Sequence, residues 1–322
     1  MKQGFDSNNP MQIGGQAVIE GVMMRAPRMI ATAVRRPNGE ILVKKEIFQS
    51  LGERHSFFKL PVLRGAVGLI EMMVIGIRTL NFSAEAALEA EKTNGEEPNK
   101  KSSSISLGLT VALSLAIGIG IFFVMPLVAT SNLFSVEQEP MAFNLLAGAI
   151  RIGLLLIYLV IISMLKDVKR LFEYHGAEHK AVFTFEKGEP LQVEHASVQT
   201  RFHPRCGTSF LLIVMLVSIG VFSILDTFLI AWLGELNIAT RLLTHLPLIP
   251  LVGGVSYEFI RASAKKSETA LGKIIVTPGL WLQKITTSEP DAGQLEVALV
   301  ALRCALGEDL PANAVPHVDA AA

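Results

Sequence analysis

The sequence has little charge and almost no cysteine. Only 18% of its 322 residues are charged, against about 25% in soluble domains, and its 29 basic residues are balanced by 29 acidic ones. Without net positive charge, the chain is not expected to bind nucleic acid through phosphate contacts. Its two cysteines, Cys206 and Cys304, cannot build a disulfide framework. Intrinsic disorder is also excluded, because half of the residues are hydrophobic.

Long stretches of the chain contain almost no charge. No Asp, Glu, Lys or Arg occurs between Ser102 and Val136, and the runs Met141–Leu165 and Gly207–Gly234 contain one charge each. A membrane-spanning helix needs about 20 mainly apolar residues. A shorter run, Leu242–Tyr257, predicts a fourth span. The expected fold class is therefore a mainly α membrane protein with about four transmembrane helices.

Basic residues flank these runs on one side of the membrane. Lysines and arginines lie before the first run, between the second and third, and after the fourth, whereas the two opposite loops contain only Arg241. Basic loops remain cytoplasmic, so both termini are expected in the cytoplasm. The first 15 residues are polar, and a cleaved signal peptide is not expected.

The polar parts of the sequence suggest further segments. Pro37-Asn38-Gly39 between two alternating runs indicates a β-hairpin. The chain is predicted to divide into a β-rich segment (11–60), an amphipathic helix (61–92), a linker (93–104), two pairs of membrane helices (105–165 and 207–260), a His/Cys loop (166–206), C-terminal helices (261–310) and a disordered tail (311–322). The helix at 61–92 has two interpretations: it lies in the membrane interface, or it packs on another part of the protein.

Two charges lie inside the predicted spans, Arg151 and Asp226. Counted from the outer ends of their spans, they have a similar depth, which favours an ion pair because charges within a membrane are usually paired. The pair would fix two spans to each other. The alternative is an ion pathway.

The predicted loop between spans two and three contains the pattern His175-Gly-Ala-Glu178-His179. On a helix, His175 and His179 share one face, so their imidazoles can hold one metal ion. Glu178 is then a candidate general base. This H-x-x-E-H order is that of the inverzincin metalloproteases. The alternative is that these histidines simply lie at the membrane interface.

A second element, His203-Pro-Arg-Cys206, precedes span three. Imidazole and thiolate ligands favour zinc, so His203 and Cys206 are expected to complete a site with His175 and His179. A buried cysteine without metal is the alternative for Cys206. Glu258, at the end of span four, is a further candidate ligand or the partner of a local ion pair.

Four strings resemble those of the bacterial YqhQ family: IGGQAVIEGVMMR (13–25), YHGAEHK (174–180), HPRCGTSF (203–210) and TTSEP (286–290). That family consists of uncharacterised multi-spanning membrane proteins, described as predicted metal-dependent enzymes. The resemblance implies that residues 13–25 belong to the pattern that defines the family. It further implies that Glu20 and Arg25 contact the His/Cys loop, with Glu20 as an additional candidate ligand. From the residues alone, the glycine pair in this string either admits a close backbone approach or forms a turn.

These observations together predict a multi-pass bacterial inner-membrane protein with a metal site that faces the cytoplasm. The expected activity is metal-dependent hydrolysis, with zinc as the metal. The expected partners are the lipid bilayer and an unknown substrate or protein at the cytoplasmic face. Two alternatives remain open: a zinc-stabilised membrane scaffold, and a transporter that uses Arg151 and Asp226.

Overall fold

The computed structural model describes residues 13–88, 100–134, 138–264 and 269–317. Within these ranges the chain is mainly helical, with one small sheet, as predicted. Part of the predicted linker (93–99) and the end of the predicted tail (318–322) lie outside the described residues. The rest of the linker belongs to a helix that begins at Lys100.

The N-terminal segment forms an antiparallel sheet to which the C-terminal end of the chain adds one parallel strand. The predicted hairpin is confirmed, with Gly39 at φ +90° in its turn. The tail that was predicted to be disordered contributes the fifth strand instead, because its backbone pairs with β4. The strands are β1 (Gly14–Val18), β2 (Gly21–Arg25), β3 (Met29–Arg35), β4 (Ile41–Ile47) and β5 (Ala314–Pro316).

Helices make up most of the rest of the described chain. The helices before the second predicted span are α1 (Leu51–Arg54), α2 (Leu63–Leu88), α3 (Lys100–Ile119) and α4 (Met125–Leu133). The helices that follow are α5 (Pro140–Ser163), α6 (Lys166–Glu186), α7 (Val193–Ser197), α8 (Gly207–Leu233), α9 (Ile238–His245), α10 (Ile249–Ala264), α11 (Ala270–Thr286) and α12 (Ala292–Ala305).

Four helical segments in the described chain are long and apolar enough to cross a membrane, which agrees with the predicted number. The first joins α3 to α4 through a π-helical turn at Gly120–Val124, and the fourth joins α9 to α10. Their bounds are Ala112–Leu133, Pro140–Ser163, Gly207–Leu233 and Ile238–Ala262. Large apolar side chains on these helices are exposed, among them Leu113, Ile161 and Phe228, as expected of lipid-facing surfaces.

The sheet lies between helices on its two faces. One face packs on α12 and α6, in a core that includes Val22, Ala177 and Leu299. The other face packs on α2, in a second core that includes Met23 and Phe82. Asp291 is the N-cap residue of α12 and forms a capping box with Gln294. The helix is buried over most of its length because the sheet and α6 cover it.

The predicted ion pair between Arg151 and Asp226 does not form in the described part of the chain. In the antiparallel packing of α5 on α8, Asn144 lies opposite Asp226 and donates to its carboxylate at 2.8 Å. Arg151 lies seven residues further along α5, about 10 Å away, beside Ser218. Similar depth in two spans does not determine which residues face each other, because the register between α5 and α8 decides this.

Both charges have other partners. Arg151 donates through Nε to the carbonyl of Phe122, in the π-helical turn, at 2.8 Å, and its guanidinium lies over the Phe123 ring. Asp226 is fully buried and accepts a hydrogen bond from His245 Nε2 at 2.8 Å, with Arg241 Nε at 3.6 Å. The buried Asp226 therefore joins α8 to α9 as well as to α5.

Candidate metal centre

The site is formed by residues of α6 and by Cys206, the residue directly before α8. His175 and His179 lie one turn apart on α6, with ring centroids separated by 4.4 Å. Cys206 is the N-cap residue of α8, and its extended backbone starts the helix directly after the proline-containing turn. Because α6 packs on the sheet and α8 packs on α11, the two elements that carry the ligand atoms are fixed in position from several sides.

His175, His179 and Cys206 form a three-residue cluster of metal-ligating side chains. One ligand atom from each lies within 4.8 Å of the other two, and Cys206 Sγ lies 3.3 Å from His175 Nε2. Zinc bonds of about 2.0–2.3 Å place the ligand atoms of a tetrahedral site roughly 3–4 Å apart. The Cys206–His175 pair lies within this range, the 4.8 Å limit of the whole cluster is wider, and the donor atoms are of the type that zinc prefers.

The second nitrogen of each imidazole is held by a backbone carbonyl. His175 Nδ1 lies 2.8 Å from the carbonyl oxygen of Thr286, and His179 Nδ1 lies 2.5 Å from that of Arg201. A carbonyl can only accept, so each Nδ1 carries a hydrogen, and in the neutral ring Nε2 is then the nitrogen with the lone pair. Metal-binding histidines are oriented in this way in known sites.

Glu178 lies beside this cluster and is almost fully buried. Its Oε2 is 3.4 Å from His179 Nε2. Burial raises the pKa of its carboxyl, and the nearby His175 and His203 and a hydrogen bond from the backbone of Gly15 oppose that rise. A carboxyl with a raised pKa next to a candidate metal position is suited to accept and return a proton.

His203 lies next to the three-residue cluster without belonging to it. Its ring centroid is 5.6 Å from that of His179, and its Nδ1 accepts a hydrogen bond from the backbone N–H of Arg205 at 3.3 Å. Its Nε2 lies 3.5 Å from Glu186 Oε2. Burial lowers the pKa of His203, while Glu178 raises it. The described geometry thus gives His203 a position at the edge of the cluster.

The two other candidate acids lie in ion pairs elsewhere. Glu20, in the β1–β2 turn, pairs with Arg170 and accepts a hydrogen bond from Tyr174. Glu258 pairs with Arg64 of α2, whereas the sequence had suggested a metal or a neighbouring basic residue as its partner. Neither acid belongs to the His175–His179–Cys206 cluster.

Sequence reasoning missed several groups that hold the site. The buried Gln283 of α11 accepts from the backbone N–H of His203 at 2.7 Å and donates to its carbonyl at 2.8 Å. This pair of bonds fixes the turn that leads to Cys206. Thr286 and Arg201 contribute only their carbonyl oxygens to the histidines, and no side-chain pattern in a sequence identifies such a role.

The four strings that carry the family resemblance meet around the cluster. A Cβ atom at Gly15 would lie 2.6 Å from Glu178 Cγ, so the close approach of the first string to the second requires glycine. Gly176 lies against the carbonyl of Ser288, and Lys180 forms an ion pair with Glu289. The first and fourth strings therefore both pack on the second, and the third brings in Cys206.

The fold and the cluster define a class: a mainly α protein with four candidate membrane helices and a largely buried His–His–Cys group whose cysteine caps the start of the third of them. The chain belongs to the family described as "Protein of unknown function (DUF1385)", whose model matches residues 60–308. It is 36% identical over 304 residues to the "Uncharacterized protein YqhQ" of Bacillus subtilis (strain 168), covering 90% of this chain and 91% of that protein. The YqhQ resemblance is thereby confirmed. No solved structure matches the chain.

Proposed function

We propose that the chain is a membrane-embedded, zinc-dependent hydrolase whose metal is held by His175, His179 and Cys206. The observation that carries the proposal is the pair of bonds from the two Nδ1 atoms to backbone carbonyls, which leaves Nε2 of each imidazole as the candidate ligand atom, with that of His175 3.3 Å from Cys206 Sγ. Such bonds fix the ring orientation and tautomer that a metal requires. His203, at the edge of the cluster, would be a fourth ligand only in the structural alternative described below.

The proposed catalytic group is Glu178. Zinc bound by three protein side chains supplies a Lewis acid that makes water a better nucleophile at neutral pH. Glu178 would take the proton of the attacking water and return it to the leaving group. Its burial, its raised pKa and its position 3.4 Å from His179 Nε2 support this role. The site is proposed to face the cytoplasm, and its substrate is proposed to be a peptide or a lipid-linked group.

A second candidate function is structural. The cluster is largely buried, and the bonds around it join α6, the turn before α8 and the end of α11. A metal with four protein ligands would stabilise this junction without reacting. In that case the protein would be a zinc-stabilised scaffold in the membrane. The transporter alternative has no comparable support, because Arg151 and Asp226 are both engaged by neighbouring groups.

Metal content of the purified full chain tests the site. We expect about one zinc per chain by elemental analysis in detergent, and loss of that zinc in the His175→Ala/His179→Ala variant, because two of its ligands are gone. The matched control is His55→Ala/His195→Ala, which removes two histidines outside the cluster and should retain the metal. Wild-type protein without metal after expression in zinc-supplemented medium would overturn both metal functions.

The Glu178→Gln variant separates hydrolysis from scaffolding. The hydrolase predicts that this variant keeps its zinc and loses about 10²–10⁴-fold in rate, measured with fluorogenic peptides and chromogenic esters on protein in liposomes. The scaffold predicts metal binding and full rescue of a deletion strain by the same variant. Wild-type rates in the variant would contradict the role of Glu178.

A further inference from the structure

One face of α2 exposes a row of large apolar side chains. Its members recur at helical spacing over three turns, and between 37% and 55% of each is exposed: Ile70, Met73, Val74, Ile77 and Leu80. Large contiguous apolar patches on a protein surface mark a site of interaction. We call these five residues the α2 apolar face.

The opposite face of α2 is already occupied by the protein. Ile75 and Phe82 belong to the core beneath the sheet, and Thr79 is buried on the same side, bonded to its own helix backbone. The helix is therefore apolar on two opposite sides between residues 70 and 80. The sheet accounts for one side and leaves the α2 apolar face without a partner inside the described chain.

The start of α2 packs closely on α10, which belongs to the fourth candidate membrane span. A Cβ atom at Gly65 would lie 2.6 Å from Tyr257 Cβ and 2.9 Å from Gly254 Cα, so glycine on both helices permits the contact. Close crossings through small residues are typical of helices in membranes. Arg64 and Glu258 pair next to this crossing.

This crossing fixes the position of α2 relative to the bilayer. The helix α10 also exposes apolar side chains, including Leu251, Tyr257 and Phe259. The α2 apolar face begins at Ile70, about one and a half turns after the crossing at Gly65. The lipid-facing surface of the fourth span is therefore continued by the surface of α2.

The segment before α2 has the composition of a membrane interface. Leu51, Phe57 and Leu60 expose 42%, 62% and 48% of their surface, next to the basic residues Arg54 and Lys59. Apolar side chains enter the acyl boundary while neighbouring basic residues contact lipid phosphates. These residues favour a lipid surface over a soluble partner.

We propose that α2 lies in the plane of the membrane, with the α2 apolar face among the acyl chains and the sheet on the aqueous side. The occupant of this face is the bilayer. Both interpretations of this helix, interfacial and protein-packed, then hold, because one face packs on the protein and the other contacts lipid. This inference does not depend on the metal site.

Quenching of a fluorescent label tests the proposal in the full chain. Met73→Cys and Ile77→Cys carry the label on the α2 apolar face, and Glu85→Cys, exposed further along the same helix, is the matched control. The two native cysteines are buried, and labelling of the unsubstituted chain gives their background. In lipid nanodiscs, we expect lipids with spin-labelled chains to quench residues 73 and 77 at least three-fold more than residue 85.

Iodide in the aqueous phase should give the reverse order. Equal iodide quenching at 73, 77 and 85 would overturn the proposal, because the face would then lie in water. Protection from both quenchers would also overturn it, since it would show that protein covers the face. Elution from size exclusion at the same volume as the unsubstituted chain shows that each labelled variant is correctly folded.

Discussion

The tautomer of two histidines is the feature on which the proposed chemistry depends. At His175 and His179 the carbonyls of Thr286 and Arg201 decide which nitrogen carries the hydrogen. A histidine at the same position without such a carbonyl would present either nitrogen, and metal binding would have to select one. The backbone of α11 and of the turn before α8 thus prepares the imidazoles before any metal arrives.

Position 15 requires glycine because the Glu178 side chain lies directly against it, and alanine there should disturb the site. The added Cβ would lie 2.6 Å from Glu178 Cγ and 2.8 Å from the carbonyl oxygen of Met23. We expect Gly15→Ala to lower the free energy of unfolding by about 1–3 kcal/mol, as for other overpacked positions. Thermal unfolding in detergent measures the change.

The neighbouring Gly14 supplies the control for that substitution. A Cβ atom at Gly14 would meet nothing within 4 Å, so Gly14→Ala should leave stability almost unchanged. If both variants unfold at the same temperature, then the close approach of β1 to Glu178 does not constrain the site. A loss of stability at Gly15 alone would confirm that the first and second strings pack as described.

The residues of the cluster could be predicted from the sequence, but the groups that support them could not. The spacing of His175 and His179 places them on one helix face under any packing, and His203-Pro-Arg-Cys206 had to lie near the same membrane end. By contrast, the bonds from Gln283 to the His203 backbone join residues 80 positions apart. Only the packing of α11 on α8 brings these groups together.

At the scale of elements, the register between α5 and α8 decides which buried charges interact. Asp226 lies opposite Asn144 and close to Arg241 and His245, whereas Arg151 lies seven residues away along α5. Charges buried in a membrane must be paired or hydrogen-bonded. Two separate polar groups, one around each charge, satisfy this requirement here, with the π-helical turn supplying the carbonyl for Arg151.

Double-mutant cycles distinguish these two groups. We expect Asp226→Ala and Arg241→Ala to be coupled by about 0.5–3 kcal/mol, because the two side chains interact directly, and Asp226→Ala and Arg151→Ala to be additive within about 0.5 kcal/mol. Unfolding in mixed detergent micelles gives the four free energies for each cycle. Equal coupling in both cycles would show that Arg151 and Asp226 interact after all.

Several elements were predicted correctly because their signals are local. The hairpin at Gly39 and the four apolar helices depend on residues close together in sequence. The strand at residues 314–316 has no local signal, since β5 forms only because β4 has an edge with which it can pair. Likewise, α12 is buried almost all round only because both the sheet and α6 cover it.

For the whole molecule, sheet, α12 and His–His–Cys cluster lie together, at the end of the membrane helices where α5 ends and α8 begins. The opposite ends are joined by short connections around residues 134–139 and 234–237, which contain no lysine or arginine. The loop at 187–206 and the segment after α10 contain several. Since basic segments remain in the cytoplasm, the folded part with the cluster is expected there.

Matched glutamates on the two sides test this orientation. Glu235 lies exposed beyond the end of α8, and Glu194 lies exposed in α7 near the cluster. A membrane-impermeant maleimide added to intact cells should label Glu235→Cys and leave Glu194→Cys unlabelled until the membrane is opened. The native thiols of Cys206 and Cys304 are buried and should give little background. The reverse labelling order would place the cluster outside the cytoplasm, where a thiolate ligand would be exposed to oxidising conditions, and would count against a zinc site that depends on Cys206.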